Sequence, residues 1–488
     1  MTSSAAWKLA FGLLAVIAIF VVATGARRTV AIGALLVVIP FQFVQTQYAS
    51  SSEMIAYALT AVLLVSGGLR FRMLPELSLI VVAYFASLAV ADREMLARHV
   101  VFMFQFFASL VVFVLAYNFG RFAKSERSIV SVLLATNVLV VGYCVLQLIA
   151  GPGERFTPFG IAELQFNSNR NPDDPRLVGP FSNPGSTAGY FTLMLLLCVV
   201  ELMYAAGKRR LLVQMLVGLN LLGLVATGNR TGFLILLLMF PLFLLLFRRV
   251  LGPRIIARYV IGGSIALVVS SVVAIAFTDF GRMFERLANV TETEGGVPTT
   301  RAETWPVAIE KIKREPWLGE GPHFLTAEDV EVAGQRQLQV EFDESGEIGS
   351  VVDPYPHSLY LYLLRTVGVV GLIAIVWFFL RVWLILRRSS QKLLPTNYSA
   401  AIVRVGLLLI PAFMIAQITL EFIRPTTMDY AQFVFALMGL LVGMSDRAEH
   451  AIGTQSPPSS FEHSSASSRN TYLKNQNTRQ HRMTSGQK

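Results

Sequence analysis

Asp279-Phe-Gly-Arg-Met-Phe-Glu-Arg286 opens a polar interval that runs through Arg301-Ala-Glu-Thr-Trp305 and Glu315-Pro-Trp-Leu-Gly-Glu-Gly321 and closes on Asp353-Pro-Tyr-Pro-His357. It is the longest polar stretch inside an otherwise apolar chain of 488 residues, 54% of them hydrophobic and only 15% charged. On either side, apolar runs of hydrocarbon-core length recur near 9–24, 29–44, 54–69, 77–91, 99–119, 129–150, 186–206, 211–227, 231–247, 256–278, 358–386, 401–422 and 429–445. The runs are continuous rather than alternating, and hydrocarbon tolerates only backbones that satisfy their own hydrogen bonds, so they read as helices and not as barrel strands. The fold class expected is all-α: a polytopic membrane protein of about 12–13 transmembrane helices, with one large extracytoplasmic loop over 279–357. A chain that leaves the bilayer for so long is expected to do its chemistry there.

Outward from that loop, charge sets the topology. The net charge of +10 is not a nucleic-acid footprint, because the basic residues gather at alternate gaps between apolar runs. Arg27-Arg28, Arg70 and Arg72, Arg121 with Lys124 and Arg127, Lys208-Arg209-Arg210, Arg248-Arg249 and Arg387-Arg388 mark those gaps. This is the positive-inside pattern of a multi-pass bacterial inner-membrane protein. The gaps at 45–53, 92–98, 151–185, 228–230, 279–357 and 423–428 then face the periplasm. The first run is kept as a span, since a cleaved signal would leave Arg27-Arg28 on the disfavoured side. Residues 1–445 form the transmembrane domain on this reading. Residues 446–488, rich in Ser, Asn, Gln and Thr, cannot bury enough to order themselves and read as a disordered cytoplasmic tail. Cys144 and Cys198 lie within apolar runs, so neither a disulfide framework nor a cysteine metal site is expected.

Three polar constellations fall on the same predicted face. The first, Arg176-Leu-Val-Gly-Pro-Phe-Ser-Asn183-Pro-Gly-Ser-Thr187, makes a tight turn into a helix, with Arg176 and Asn183 as candidate substrate contacts. Its bland reading is a loop with a helix cap. The second, Thr227-Gly-Asn229-Arg230-Thr231-Gly232, sets a guanidinium at the positive end of the next helix, flanked by Asn229 and Thr231. Glycines admit close backbone approach and exposed N–H groups beside an arginine suit a phosphate. The competing reading is an arginine snorkelling from a tight turn. In the third, the spacing of Trp305, Ala308, Ile309 and Ile312 predicts an amphipathic helix over 304–314, preceded by Arg301 and followed by a sharp turn at 315–321.

His357 ends a proline-rich turn and begins the next apolar run, so backbone and bilayer both fix its place. An imidazole with an ordinary pKa near 6.5 can take a proton from an attacking hydroxyl at neutral pH. Arg230, Arg301 and His357 together make a catalytic site for an anionic, membrane-anchored substrate: the arginines hold a diphosphate while the histidine serves the incoming hydroxyl. No metal and no cofactor is expected. Asp173-Asp174 reads as an Asn-Pro-Asp turn, and His323, His357, Glu320 and Asp353 fit no familiar zinc spacing. The acidic run 328–347 reads as a solvated insertion.

These constellations, in this order over 176–371, resemble the O-antigen ligase and polymerase superfamily. The resemblance is carried by Gly179-Pro-Phe-Ser-Asn-Pro, Thr227-Gly-Asn-Arg-Thr-Gly, Arg301 through Trp305, Glu315-Pro-Trp-Leu-Gly-Glu-Gly, Pro356-His-Ser-Leu-Tyr-Leu and Gly368-Val-Val-Gly371. Many members carry His-Asn where this chain has His357-Ser358. The resemblance implies a metal-independent, inverting glycosyltransferase that works at the periplasmic face on glycan carried by undecaprenyl diphosphate. Its acceptor would be another glycan or lipid A core, and membrane lipid would surround it. It also implies that the paired arginines fall on Arg230 and Arg301 and the loop histidine on His357; Trp305 is a further candidate substrate contact. Ligase, polymerase and oligosaccharyltransferase share these parts. A transporter or flippase of lipid-linked glycans is the alternative of a different class. It would need polar groups near the bilayer midplane, where the runs offer Asn137, Gln147, Asn220 and Gln417, all uncharged and open to satisfaction by helix packing.

Overall fold

The computed structural model describes residues 28–41, 50–150, 154–157, 160–163, 177–181, 183–229, 231–248, 261–262, 301–324, 356–393, 398–418, 422–423 and 428–455. In chain order these hold α1 (Arg28–Val38), α2 (Ser51–Val65), α3 (Leu74–Val90), α4 (Leu96–Phe122), α5 (Glu126–Ala150), a short antiparallel hairpin of β1 (Glu154–Thr157) and β2 (Gly160–Glu163), α6 (Pro184–Tyr204) and α7 (Gly207–Ala226). They continue with α8 (Thr231–Arg248), α9 (Arg301–Arg314), α10 (Leu359–Thr366), α11 (Gly368–Lys392), α12 (Tyr398–Ala416) and α13 (Met428–Gln455). Apart from the hairpin the described architecture is helical, as the apolar runs predict. Among the described residues eight helices are long and apolar enough to cross a membrane, while α1, α2 and α3 are shorter apolar helices. The run at 9–24 lies outside the described residues, and of the run at 256–278 only 261–262 are described.

The helices pack around α13, which is buried from Met428 to Ser445. Gly439 and Gly443 lie one turn apart on α13 and leave no room for a Cβ against the backbone of Phe113 and Tyr117 on α4. Small residues at that spacing let two backbones touch, which is how helices associate where water supplies no driving force. By contrast α8 carries Leu234, Leu237 and Leu245 largely exposed, and α5 does the same with Leu146, Leu148 and Ile149, as lipid-facing helices must.

Among the described residues the basic gaps meet on one face, as the charge pattern predicts. On the basic face Asp446 of α13 meets Arg121 at 3.5 Å and Arg72 at 3.7 Å, and accepts from the Tyr117 hydroxyl at 2.8 Å. Glu449 pairs with Lys392 at 2.9 Å, and Arg447 with Glu126 at 3.6 Å. On the opposite face lie the gaps that carry the motifs.

Three expectations about boundaries need correction. The run 358–386 is two helices, α10 and α11, broken at Val367-Gly368, where Gly368 adopts φ +65°. The run 401–422 stops being helical at Ala416. The helix of the last run does not end near 445: α13 continues to Gln455, because Asp446, Arg447 and Glu449 are held by the ion pairs just described rather than left to solvent. By compactness the chain divides into Met1–Glu449 and His450–Lys488. The disordered tail expected beyond Gln455 lies outside the described residues.

Candidate functional site

The first constellation is a helix start built on the second. Asn183 sits in extended backbone at the N-cap of α6, and its side-chain Oδ1 accepts from the backbone N–H groups of Gly185 at 2.7 Å and Ser186 at 3.2 Å. Pro184, with no N–H to orphan, occupies the first turn. The turn before it is pinned twice: Gly179 N–H donates to Gln147 Oε1 at 2.8 Å, and Leu177 N–H donates to the carbonyl of Ala226, the last residue of α7, at 3.0 Å. That second bond places the Gly179-Pro-Phe turn beside Thr227-Gly-Asn229. Asn229 is likewise a cap, its Oδ1 accepting from Gly232 N–H at 3.0 Å while its own N–H donates to Thr227 Oγ1 at 3.3 Å. Both asparagines expected to touch substrate therefore hold helix N-termini. Thr231 opens α8. Arg176 and Arg230 lie outside the described residues.

The third constellation forms the other half. The helix predicted over 304–314 begins three residues earlier, at Arg301, whose side chain lies outside the described residues. Trp305, expected to meet substrate, donates its indole N–H to the carbonyl of Pro356 at 2.8 Å. The residue after Pro356 is His357, half-buried and at φ +47°, a left-handed conformation that a side chain with a Cβ adopts at a cost. On its far side the chain is held again: Leu359 N–H donates to the Gln417 carbonyl at 3.0 Å and the Tyr360 hydroxyl to the Met414 carbonyl at 2.7 Å. His357 thus sits on a turn clamped from both sides, by α9 and by the end of α12.

The end of α12 joins the halves. A narrow cavity of about 10 Å³, room for roughly one water, lies between Gly189 and Thr192 of α6, Gly232 of α8, Ala412 and Ala416 of α12 and Tyr430 of α13. Gly232 of α8 and Ala416 of α12 both line it, and Ala416 precedes Gln417, whose carbonyl holds Leu359.

Beneath this, the 315–321 motif stitches the broken helix. Glu320 N–H donates to the Arg365 carbonyl at 2.9 Å and Gly321 N–H to Thr366 at 3.1 Å, while Val369 and Val370 donate back to Pro316 at 2.9 Å and Trp317 at 3.3 Å. Carbonyls orphaned by the break are thereby satisfied, as irregular backbone in an apolar run requires. Arg365, almost fully buried, pairs with Glu320 at 3.0 Å and covers the Phe324 ring at 3.7 Å. Glu320 is thus occupied by an arginine, and the His323 ring stacks on Phe102 while the His323 backbone N–H donates to His99 Nδ1 at 3.1 Å.

Sequence reasoning missed two features. The Arg365–Glu320 pair had no signal, because its members stand 45 residues apart and one lies in an apolar run. Gln417, expected to be satisfied by helix packing, is instead fully buried with neither amide atom hydrogen-bonded. A buried polar side chain left unpaired beside a candidate site marks function or strain rather than packing.

A multi-pass helical membrane protein with its motif turns gathered on one face is the class these features define. Residues 215–376, from the middle of α7 into α11, match the family model described as O-antigen ligase (Wzy_C). The match spans about a third of the chain and supports the resemblance to the O-antigen ligase and polymerase superfamily. No curated protein matches the chain.

Proposed function

We propose that the protein transfers or polymerises glycan from an undecaprenyl-diphosphate carrier onto an acceptor hydroxyl at the periplasmic face of the inner membrane. In this reading Arg230 and Arg301 hold the diphosphate, and His357 takes the proton of the acceptor hydroxyl as its oxygen attacks the anomeric carbon. The carbon–oxygen bond to the diphosphate breaks with inversion, and the carrier diphosphate leaves with the electron pair between the two guanidinium groups. No metal takes part. The observation that carries the reading is the Trp305–Pro356 bond, which ties the helix that starts at Arg301 to the turn that presents His357. The Leu177–Ala226 bond and the shared end of α12 support adding the Arg230 turn to the same assembly.

The test is a reaction of purified protein in detergent with an undecaprenyl-diphosphate oligosaccharide, without nucleotide or metal, resolved on a gel. A ladder from donor alone identifies a polymerase; a single shifted band that requires lipid A core identifies a ligase. His357→Ala is expected to lower the rate by about 10²–10⁴-fold, the usual contribution of a positioned general base, and EDTA to leave it unchanged. Wild-type protein that makes no product with any acceptor yet moves the lipid-linked glycan across liposomes overturns the reading in favour of a transporter.

A further inference from the structure

On the basic face, away from the motif turns, an open cavity of about 380 Å³ lies between α5 and α7. Its walls are aliphatic: Leu134 and Val138 of α5, with Ala135 between them, and Leu212 of α7. Val138 and Leu212 are both more than a third exposed, so the cavity opens sideways toward acyl chains. Its polar end is Ser131, Lys208 and Arg209.

The charge at that end is net positive, with Lys208, Arg209 and Arg210 against Glu201. Arg209 reaches Glu201 at 2.5 Å and donates to Ser131 Oγ at 3.0 Å, but its buried Nη2 has no partner. Glu201 is shared between Arg209 and the Tyr398 hydroxyl, so its carboxylate is engaged. Lys208 and Arg210 are exposed, and no acidic residue lines the cavity. The same end coincides with the start of α7, whose N-cap is Ala206: no side chain caps it and its first turn holds no acidic residue. Uncapped N–H groups at a helix start favour an anion.

An aliphatic groove opening to the bilayer, headed by cations and an uncapped helix, matches one chemistry: a phosphodiester with acyl chains below it. We propose that this groove binds an anionic glycerophospholipid of the bilayer. Its headgroup phosphate sits over Lys208, Arg209 and the first turn of α7, and one chain runs along Leu134, Val138 and Leu212. Free phosphate would leave the aliphatic walls unused. A zwitterionic lipid would bring a second cation to a cavity whose described lining holds no carboxylate.

The test is native mass spectrometry of the full-length protein in neutral detergent, titrated with phosphatidylglycerol or with phosphatidylcholine of the same chains. Wild type is expected to retain phosphatidylglycerol preferentially. Lys208→Glu, an exposed position, is expected to weaken retention by about fivefold or more, the effect of removing one basic charge at a membrane surface. Val138→Trp, also at an exposed position, fills the groove and is expected to do the same while leaving Lys208 in place. Equal retention of the two lipids, Lys208→Glu protein that behaves as wild type, or displacement of the lipid by millimolar inorganic phosphate would each overturn the proposal.

Discussion

The indole Nε1 of Trp305 lies 2.8 Å from the carbonyl oxygen of Pro356, joining residues 51 apart in the chain. The bond fixes the turn one residue before His357 without involving the imidazole. Trp305→Phe keeps most of the packing and deletes the donor, which leaves the Pro356 carbonyl short of a partner. A net hydrogen bond contributes about 0.5–1.5 kcal/mol to stability, so the thermal midpoint is expected to fall modestly. Glycan transfer is expected to fall by no more than about 12-fold, the case in which that whole energy goes into misplacing the turn. A rate as low as that of His357→Ala would mean that Trp305 meets substrate after all.

Asn183 and Asn229 separate capping from substrate binding. As N-caps, each changed to Ala costs about 0.5–2 kcal/mol of stability, and Asp restores the cap. Asn183→Asp and Asn229→Asp proteins are therefore expected to keep the wild-type melting midpoint and most of their turnover. Direct sugar or phosphate contact predicts the opposite for Asp, whose carboxylate repels a diphosphate. Parallel melting and turnover measurements on the Ala and Asp variants decide between the two.

Gly319 and Gly368 lock together: both adopt positive φ, and a Cβ on either would collide with the other segment's backbone, at Thr366 and Trp317 respectively. Gly368→Ala incurs about 1–2 kcal/mol for the left-handed conformation alone, with the collision added, so yield and midpoint in detergent are expected to drop sharply. Gly218, inside α7 with open space around it, is the control. There Ala is expected to be neutral or to stabilise by about 0.5–1 kcal/mol.

Gln417 is expected to show a trade-off. Its unpaired amide is a liability in the unliganded protein, worth about 1–3 kcal/mol, so Gln417→Met should raise the midpoint. If the amide serves substrate the same change raises KM; a stabilised variant with unchanged kinetics would assign Gln417 to strain alone.

What the sequence made legible follows from what each signal measures. Hydropathy located the described helices because lipid demands a long apolar run, and alternating charge sorted the gaps to two faces. Trp305, Ala308 and Ile312 revealed α9 through their helical period. Hydropathy cannot register a backbone break inside an apolar run, so the α10–α11 junction went unseen although Gly368 was quoted in a motif. Polar composition misplaced the end of α13, since Asp446 and Glu449 look solvated until Arg121 and Lys392 are brought to them across the fold. The asparagines illustrate the reverse: their place in the motifs was legible, their work as caps required coordinates.

The four backbone bonds between 316–321 and 365–370 make two motifs into one inheritable part. A chimera that exchanges the 301–324 segment with a relative, to redirect acceptor choice, brings in new partners for only one side of that seam. Grafts that carry both segments across are expected to insert and fold, and grafts that split them are not, so the smallest exchangeable module in this chain is discontinuous in sequence.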